Sequence, residues 1–246
     1  MAIAFITGAN KGIGYATAAR LGQAGVQIIV GARDPEKGHA AAAALREQGI
    51  DAVTLQYDVT DDSSVRAAAD VVRAEHGHVD ILINNAGILP EAAAAHRVSG
   101  PMDLDIFRET FATNLFGVVA TTEAFLPLLL AAPAGRIVNV SSSVASLAEQ
   151  SDPDSAYYGL IVPAYQASKA ALNSITIALS KSLAGTNIKV NAVCPGWVQT
   201  DLGGPHNKAA APTTPDQAAR IVSQMALIGG DGPTGGFFDE AGSVRW

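Results

Sequence analysis

The chain opens with an apolar run that leads directly into a glycine-rich turn, AIAFITGANKGIG over residues 2–14. Gly8, Gly12 and Gly14 fall where a first strand would turn into a first helix. A turn of this kind bends sharply, lets a pyrophosphate approach the backbone, and points the N–H groups of a helix terminus at it. Its spacing, Gly-x-x-x-Gly-x-Gly, differs from the dinucleotide fingerprint Gly-x-Gly-x-x-Gly. The stretch therefore predicts a strand, a turn and a helix suited to binding a dinucleotide.

The rest of the chain alternates short β-rich runs with alanine-rich helical patterns. Strands are predicted over residues 2–7, 26–31, 52–57, 79–83, 135–140, 187–193 and 235–238, and helices over 12–24, 35–48, 61–75, 103–131, 163–184 and 215–228. This alternation favours right-handed crossovers and a parallel sheet. No linker or internal repeat divides the chain. We expect one α/β domain over residues 1–246, a doubly wound parallel sheet of about seven strands with helices on both faces.

Three irregular stretches interrupt this regular pattern, at residues 89–101, 143–163 and 202–214. Each follows a predicted strand at its carboxyl end, where open α/β sheets bind ligands. They are predicted to shape a substrate cleft, with a plain surface excursion as the alternative.

Composition narrows the class of protein. The chain has 246 residues, of which 48% are hydrophobic and 16% charged, as in a domain with a buried parallel sheet. A net charge of −7 argues against a nucleic-acid partner. Cys194 is the only cysteine, so no internal disulfide can form, and we interpret it as a small buried hydrophobe. No helical His/Glu or Cys/His spacing indicates a metal site.

The sequence carries no pattern typical of export or membrane insertion. The apolar N-terminus is short and lacks basic residues ahead of it, and it runs straight into the glycine turn. No uncharged apolar stretch approaches the ~18 residues that a membrane span needs. We therefore expect a cytoplasmic protein without a membrane partner.

A second motif places Tyr165 and Lys169 four residues apart, in YQASK over residues 165–169. On a helix these two side chains share a face, so the ammonium can lie beside the phenolic oxygen. A cation there would lower a phenol pKa that starts near ~10 and make Tyr165 an acid or base near neutral pH. The alternative is a solvated lysine and a half-buried tyrosine on an amphipathic helix.

The end of the second predicted strand bears on the choice of dinucleotide. Ala32 leaves room there, and Arg33 offers a guanidinium fork for a 2′-phosphate, with Lys11 as a second positive charge. Asp34 could instead accept the ribose hydroxyls, but it precedes Pro35 and could equally cap the next helix. We expect NADPH rather than NADH, the alternative being that Arg33 is a solvated loop residue.

Six motifs in order resemble the short-chain dehydrogenase/reductase superfamily over essentially the whole chain. They are TGANKGIG at 7–14, Asp58-Val59, NNAG at 84–87, NVSS at 139–142, YQASK at 165–169, and PGWVQT at 195–200. Together with ARD at 32–34 and the C-terminal residues 235–246, they are most similar to the NADPH-dependent carbonyl reductases. The resemblance implies a Rossmann-type fold and a cofactor, NADPH/NADP+, held by Gly8, Asn10, Lys11, Gly12, Ile13, Gly14, Arg33, Asp58, Val59, Asn85, Ala86, Gly87, Tyr165, Lys169, Pro195, Gly196, Val198 and Thr200.

The same resemblance implies a catalytic set, Asn114, Ser142, Tyr165 and Lys169. Tyr165 would donate a proton to a carbonyl oxygen, and Ser142 would fix the position of that oxygen. Lys169 would lower the pKa of Tyr165 and hold the ribose, and Asn114 would order a water relay. Ser142 is chosen over its neighbouring serines because it matches the family register after Asn139. Trp197 and the tyrosine pair 157–158 either line an apolar pocket or pack the loops.

The expected function is reduction of a ketone or aldehyde by NADPH, reversible as oxidation of a secondary alcohol. Two alternatives stay open: a reductase dedicated to a hydroxysteroid, terpenoid or polyketide intermediate, and a regulator that senses NADP(H) without turnover. The partner is a small-molecule carbonyl compound. We expect a monomer rather than a homodimer or tetramer, because the insertion at 143–163 could fold over the helix at 163–184 and block the family's helical dimer contact.

Overall fold

A computed structural model describes residues 1–100 and 102–246 and joins eight strands in one sheet. The strands are β1 (Ile3–Thr7), β2 (Gln27–Ala32), β3 (Ala52–Gln56), β4 (Ile81–Asn84), β5 (Arg136–Val140), β6 (Lys189–Val193), β7 (Phe237–Asp239) and β8 (Gly242–Ser243). Their order is β3-β2-β1-β4-β5-β6-β7-β8, parallel except for the final β7–β8 pair. The predicted doubly wound parallel sheet is confirmed.

Helices cover both faces of the sheet. They are α1 (Gly12–Gln23), α2 (Pro35–Glu47), α3 (Asp62–His76), α4 (Pro90–Ala93), α5 (Leu104–Phe111), α6 (Gly117–Ala131), α7 (Leu147–Ser151), α8 (Pro163–Ser182), α9 (Gly204–Ala210) and α10 (Pro215–Ala226). One buried cluster joins the sheet to α1, α2 and α10 through side chains such as Leu21, Leu45 and Met225. A second joins the opposite face to α3 and α6 through Val72 and Phe125. The sheet is therefore the middle layer of three.

The strand order reverses direction between β1 and β4, which opens a crevice at their carboxyl ends. The Thr7 hydroxyl at the end of β1 accepts hydrogen bonds from the backbone N–H groups of Asn85 (3.0 Å) and Ala86 (2.9 Å), just after β4. The Asn85 side chain in turn donates to the Thr7 carbonyl at 2.8 Å. These bonds hold the glycine turn and the segment after β4 side by side at the crevice.

Two features of the fold add detail to the prediction of about seven strands and three irregular loops. The eighth strand, β8, is a two-residue antiparallel return closed by hydrogen bonds from the N–H groups of Ala241 and Gly242 to Asp239. Two residues are too few to show an alternating pattern. The predicted loops contain the short helices α4, α7 and α9, of which α4 begins with Pro90 and α9 has Pro205 as its second residue. Pro101, the end of the first predicted loop, lies outside the described residues.

The predicted helix at 103–131 is one helical run, Leu104–Ala131, broken by a π-helical turn at Ala112–Phe116. Its 28 residues, with a mean hydropathy of 1.6 in their most apolar part, could cross a membrane on length and composition alone. Half of that part is buried inside the protein. A core helix of a globular domain passes the same test, and here the buried side chains of α6 pack on the sheet.

The core beneath the crevice is built on stacked aromatic rings. The rings of Phe5 and Phe125 stack with centroids 4.3 Å apart, and Tyr57 meets Phe5 edge to face at 4.9 Å. Phe5 lies on β1 and Phe125 on α6, and both are fully buried. This stack ties the strand that precedes the glycine turn to the helix beneath it.

Replacing Phe125→Ala removes one ring of this stack and leaves a cavity. We expect the free energy of unfolding in urea to fall by about 3–5 kcal/mol. Leu130→Ala, in the same helix but half exposed, is the matched control and should cost far less. Equal losses in the two variants would contradict the assignment of Phe125 to the core.

Candidate active site

A cavity of about 700 Å³ lies in the crevice, within the range of ~300–1,000 Å³ typical of small-molecule sites. Its wall contains most of the residues predicted for the cofactor and for catalysis. These are Gly8, Asn10, Lys11, Gly12, Ile13, Arg33, Asp58, Val59, Asn85, Ala86, Gly87, Ser142, Tyr165, Lys169, Pro195, Gly196, Val198 and Thr200. Two predicted residues, Gly14 and Asn114, lie behind the wall.

The glycine turn has a backbone that side chains would disturb. Gly8 and Gly12 have φ of +66° and +58°, in the left-handed region that favours glycine. A Cβ on Gly14 would lie 2.6 Å from the Asn85 side-chain nitrogen and 2.7 Å from the Gly8 carbonyl oxygen. Gly14 therefore lets α1 pack against the segment after β4. The N-cap residue of α1, Lys11, makes no side-chain cap, so the first N–H groups of this helix suit an anion such as a pyrophosphate.

The charged groups near the turn are divided between the cavity wall and the protein's own ion pairs. Asp34 accepts from the Lys37 N–H at 3.2 Å and caps α2, as the alternative interpretation of this residue expected. The hydrogen bonds from Lys37 lower the pKa of Asp34. Arg33 is exposed on the cavity wall and, within the described part of the chain, has no ion-pair partner. Its guanidinium is therefore available to a phosphate.

Lys11, expected to supply a second positive charge for the cofactor, forms an ion pair within the protein. Its ammonium lies 2.7 Å from the Asp201 carboxylate, whose other oxygen is 2.9 Å from Lys208. Hydrogen bonds from these two lysines lower the pKa of Asp201 to about 2. The positive charge of Lys11 is thus balanced by a residue that directly follows the 195–200 motif.

The predicted catalytic pair lies on α8 at the inner end of the cavity. Tyr165 and Lys169 are both buried, one helical turn apart. The Lys169 ammonium is 5.9 Å from the centre of the Tyr165 ring and donates a hydrogen bond to the Val140 carbonyl at 2.8 Å. Ser142 lies on the same cavity wall as Tyr165, and its hydroxyl lowers the pKa of that phenol. A phenol and a hydroxyl therefore share one part of the wall, where a carbonyl oxygen could accept from both.

The expected lowering of the Tyr165 pKa is wrong for this structure. Burial raises the pKa of Tyr165, the nearby Cys194 raises it further, and the Ser142 hydroxyl lowers it only in part. The Lys169 ammonium is directed to Val140 and does not offset the loss of hydration around the phenol. Burial also lowers the pKa of Lys169 itself, to about 8. Tyr165 consequently holds its proton throughout the neutral range, as a proton donor must.

The three serines after Asn139 have different partners. Ser141 donates to the Asn173 side chain at 2.6 Å, and the Ser143 N–H donates to the Cys194 sulfur at 3.2 Å. Ser142 is the serine whose hydroxyl acts on the pKa of Tyr165. This difference supports the choice of Ser142 within the run.

Asn114 is fully buried in the π-helical turn and braces the segment after β4. Its side-chain oxygen accepts from the Ile88 N–H at 2.9 Å, and its NH₂ group donates to the Ile88 carbonyl (2.9 Å) and to the Ser168 hydroxyl (3.2 Å). A Cβ on Gly87 would lie 3.4 Å from the Asn114 oxygen and 3.7 Å from the Lys169 nitrogen. Both amide hydrogens of Asn114 are therefore engaged, and its role in a water relay stays a prediction.

The aromatic residues proposed for a substrate pocket lie elsewhere. Trp197 and Tyr158 are each 53% exposed, and neither they nor Tyr157 belong to the cavity wall. The wall near the catalytic residues is formed instead by the segment after β4, including Leu89, Pro90, Ala93 and Ala94, and by Leu202. In the sequence, only their position after a predicted strand indicates that these residues line the cavity.

The insertion at 143–163 is held at both of its ends. Arg245 pairs with Glu149 at 2.7 Å, and the Trp246 carbonyl accepts from the N–H of Ala148. At the other end, Gln166 of α8 donates to the Leu160 carbonyl at 3.1 Å. The side-chain hydrogen bonds between the insertion and α8 thus involve Gln166, in the first turn of the helix. The oligomeric state stays a prediction.

Residues 2–211 match the short chain dehydrogenase family. The chain belongs to this family. It is 37% identical over 235 residues to the short-chain dehydrogenase anuI of Penicillium roqueforti. This alignment covers 92% of the chain and 89% of the relative. It is 32% identical over 283 aligned residues to carbonyl reductase (NADPH) 1 of Bos taurus, at 99% and 98% coverage. The structure of NADPH-bound carbonyl reductase from chicken fatty liver superposes over the whole of both chains, with a TM-score of 0.83 at 26% identity.

The buried Lys169 is expected to destabilise the protein in a pH-dependent way. Between its folded pKa of about 8 and its ordinary value of 10.5, the unfolded chain binds a proton that the folded chain has lost. The free energy of unfolding of the wild type should therefore increase as pH rises through that interval.

Lys169→Met should make the protein more stable than the wild type at pH 7, on the order of 2 kcal/mol, because it removes a buried charge. That advantage should shrink as pH rises from about 8 to 10.5. Urea unfolding at several pH values measures it, with Lys181→Met, exposed in the last turn of α8, as the control. A pH-independent difference would contradict the burial of a charged Lys169.

Proposed function

We propose that this protein is an NADPH-dependent carbonyl reductase, reversible as a secondary-alcohol dehydrogenase. One observation carries the proposal: the buried Tyr165 phenol, one turn from Lys169, shares with Ser142 the wall of a cavity that begins at the glycine turn. The family and its carbonyl reductase relatives support the same chemistry.

The residues act together on the carbonyl group. The hydride for the carbonyl carbon comes from the reduced nicotinamide when NADPH is bound. Ser142 donates a hydrogen bond to the carbonyl oxygen and orients it toward Tyr165. Tyr165 gives its proton to that oxygen as negative charge develops, so the C=O double bond becomes a C–O single bond with one new C–H bond and one new O–H bond. Lys169, as a buried cation beside the resulting phenolate, favours this transfer.

The cofactor is NADPH/NADP+, with the pyrophosphate at the glycine turn and the 2′-phosphate at Arg33. The exposed, unpaired guanidinium supports this assignment, and Asp34 is already committed to Lys37. NADPH-bound solved relatives agree with it. Lys169 and the segment 85–87 border the part of the cavity that would receive the nicotinamide end.

Arg33→Ala should weaken NADPH binding about 10- to 100-fold, because a charge-assisted bond to the phosphate is lost. NADH binding should stay unchanged. Nucleotide fluorescence titrations give both dissociation constants, and Arg66→Ala, on α3 away from the cavity, is the control. A parallel loss of NADH affinity would instead indicate that Arg33 supports the fold of the site.

Tyr165→Phe should abolish turnover while NADPH binding is retained, because the substitution removes only the proton donor. NADPH oxidation is followed by absorbance over a panel of aromatic ketones, α-diketones and quinones, with NADH run in parallel. Tyr158→Phe, exposed in the insertion, is the matched control and should keep full activity. Turnover that survives in Tyr165→Phe would refute this role for the phenol.

The panel also separates the remaining alternatives. A reductase dedicated to a hydroxysteroid, terpenoid or polyketide intermediate would reduce those compounds and few others. A regulator that senses NADP(H) would bind NADPH and reduce nothing. The expected cytoplasmic location and monomeric state are part of the proposal, and a stable tetramer in sedimentation would contradict the second.

A further inference from the structure

Helix α8, which carries Tyr165 and Lys169, begins without a cap of its own. Its N-cap residue, Val162, has no side-chain oxygen, and Pro163 occupies the first helical position. The N–H groups of the second and third positions belong to Ala164 and Tyr165, and they need an acceptor that the local sequence lacks.

Glu91 supplies that acceptor from more than seventy residues earlier in the chain. One of its carboxylate oxygens accepts from the Ala164 N–H and the other from the Tyr165 N–H, each at 2.9 Å. A carboxylate at this place also interacts favourably with the positive end of the helix dipole. Both oxygens of Glu91 therefore bind the first turn of the catalytic helix.

The backbone of Tyr165 is consequently fixed on both sides of its Cα atom. Its N–H is bound by Glu91, and its carbonyl accepts from the Ser168 hydroxyl at 2.8 Å. Ser168 in turn accepts from Asn114, which also binds both backbone groups of Ile88. Glu91 and Ile88 lie in the same segment after β4, so one short stretch of chain reaches Tyr165 by two routes.

Glu91 does not itself face the main cavity. Its neighbours Pro90 and Ala93 line that cavity, whereas Glu91 lines a separate one of about 260 Å³ beside Phe107 and Ile161. The segment thus presents one side to a substrate and the other to the helix that holds the proton donor.

We propose that Glu91 is a positioning residue, which fixes the phenol of Tyr165 relative to the segment that contacts the substrate. This inference rests on the proposed function, because it assigns a role to Glu91 through the proton donor. The predicted catalytic motifs do not include Glu91, and only its two bonds to α8 identify it.

Three variants test the proposal in the full-length protein. Glu91→Ala removes both acceptor oxygens, and Glu91→Gln keeps one. Asp61→Asn is the matched control, because Asp61 is a carboxylate that caps α3 and lies outside the cavity wall. Hydrogen exchange of the peptide covering 162–168 reports the anchor without any need for turnover.

In Glu91→Ala, exchange at 162–168 should become faster and kcat should fall about 10- to 100-fold, since small displacements of a reacting group cost this much. The exchange rate and the kcat of Glu91→Gln should both lie between those of Glu91→Ala and the wild type. The NADPH dissociation constant should stay unchanged, and the solvent deuterium isotope effect on kcat should increase, because proton transfer becomes slower relative to the other steps. A variant that only lowers the fraction of folded protein keeps the wild-type isotope effect. This result is expected for Asp61→Asn.

Three results would overturn the positioning role in an active wild-type protein. They are unchanged exchange at 162–168, an isotope effect equal to that of Asp61→Asn, and a rise in KM with kcat intact, which would make Glu91 a substrate contact. Absence of turnover by the wild type on every carbonyl compound would overturn the proposed function instead, and exchange would then still decide whether Glu91 anchors α8.

Discussion

The site depends on how the carboxyl ends of two neighbouring strands are held together. The crevice lies between β1 and β4, where the strand order reverses. There the hydroxyl of Thr7 accepts hydrogen bonds from two N–H groups of the adjacent segment, those of Asn85 and Ala86. Gly14 then allows α1 to pack against Asn85 without a clash. The cofactor turn and the segment that leads to the substrate are therefore parts of one hydrogen-bonded unit.

Burial governs the electrostatics of the catalytic helix. Removing water from Tyr165 and Lys169 favours the neutral form of each, so the pKa of the phenol rises and that of the ammonium falls. The protein stabilises the buried ammonium with a hydrogen bond from Lys169 to the Val140 carbonyl. A site of this kind holds a proton ready for donation at a cost to the stability of the fold.

Local patterns in the sequence were enough for the first seven strands and the long helices, and the family resemblance supplied most of the residues on the cavity wall. Strand and helix periods depend on neighbouring residues, and the glycine turn and the YQASK motif each lie within a few positions. The wrong predictions concern burial and contacts between residues that are distant in sequence. The pKa of Tyr165 depends on how deeply α8 is buried, and the partner of Lys11 is Asp201, which is distant in sequence. Glu91 was missed for the same reason, because its bonds to α8 join distant segments.

The ion pairs around Asp201 connect two parts of the site that are otherwise separate. Lys11 belongs to the glycine turn and Lys208 to α9, and both hold the same carboxylate at the surface of the protein. An anion that draws Lys11 toward itself leaves Asp201 with one cation instead of two. By thermodynamic reciprocity, a ligand whose binding breaks the Asp201–Lys208 pair changes the affinity for that anion by the same factor as the anion changes the affinity for the ligand. Because these charges are exposed, dissolved salt weakens both ion pairs of Asp201. The glycine turn and α9 therefore become more independent of each other as ionic strength rises.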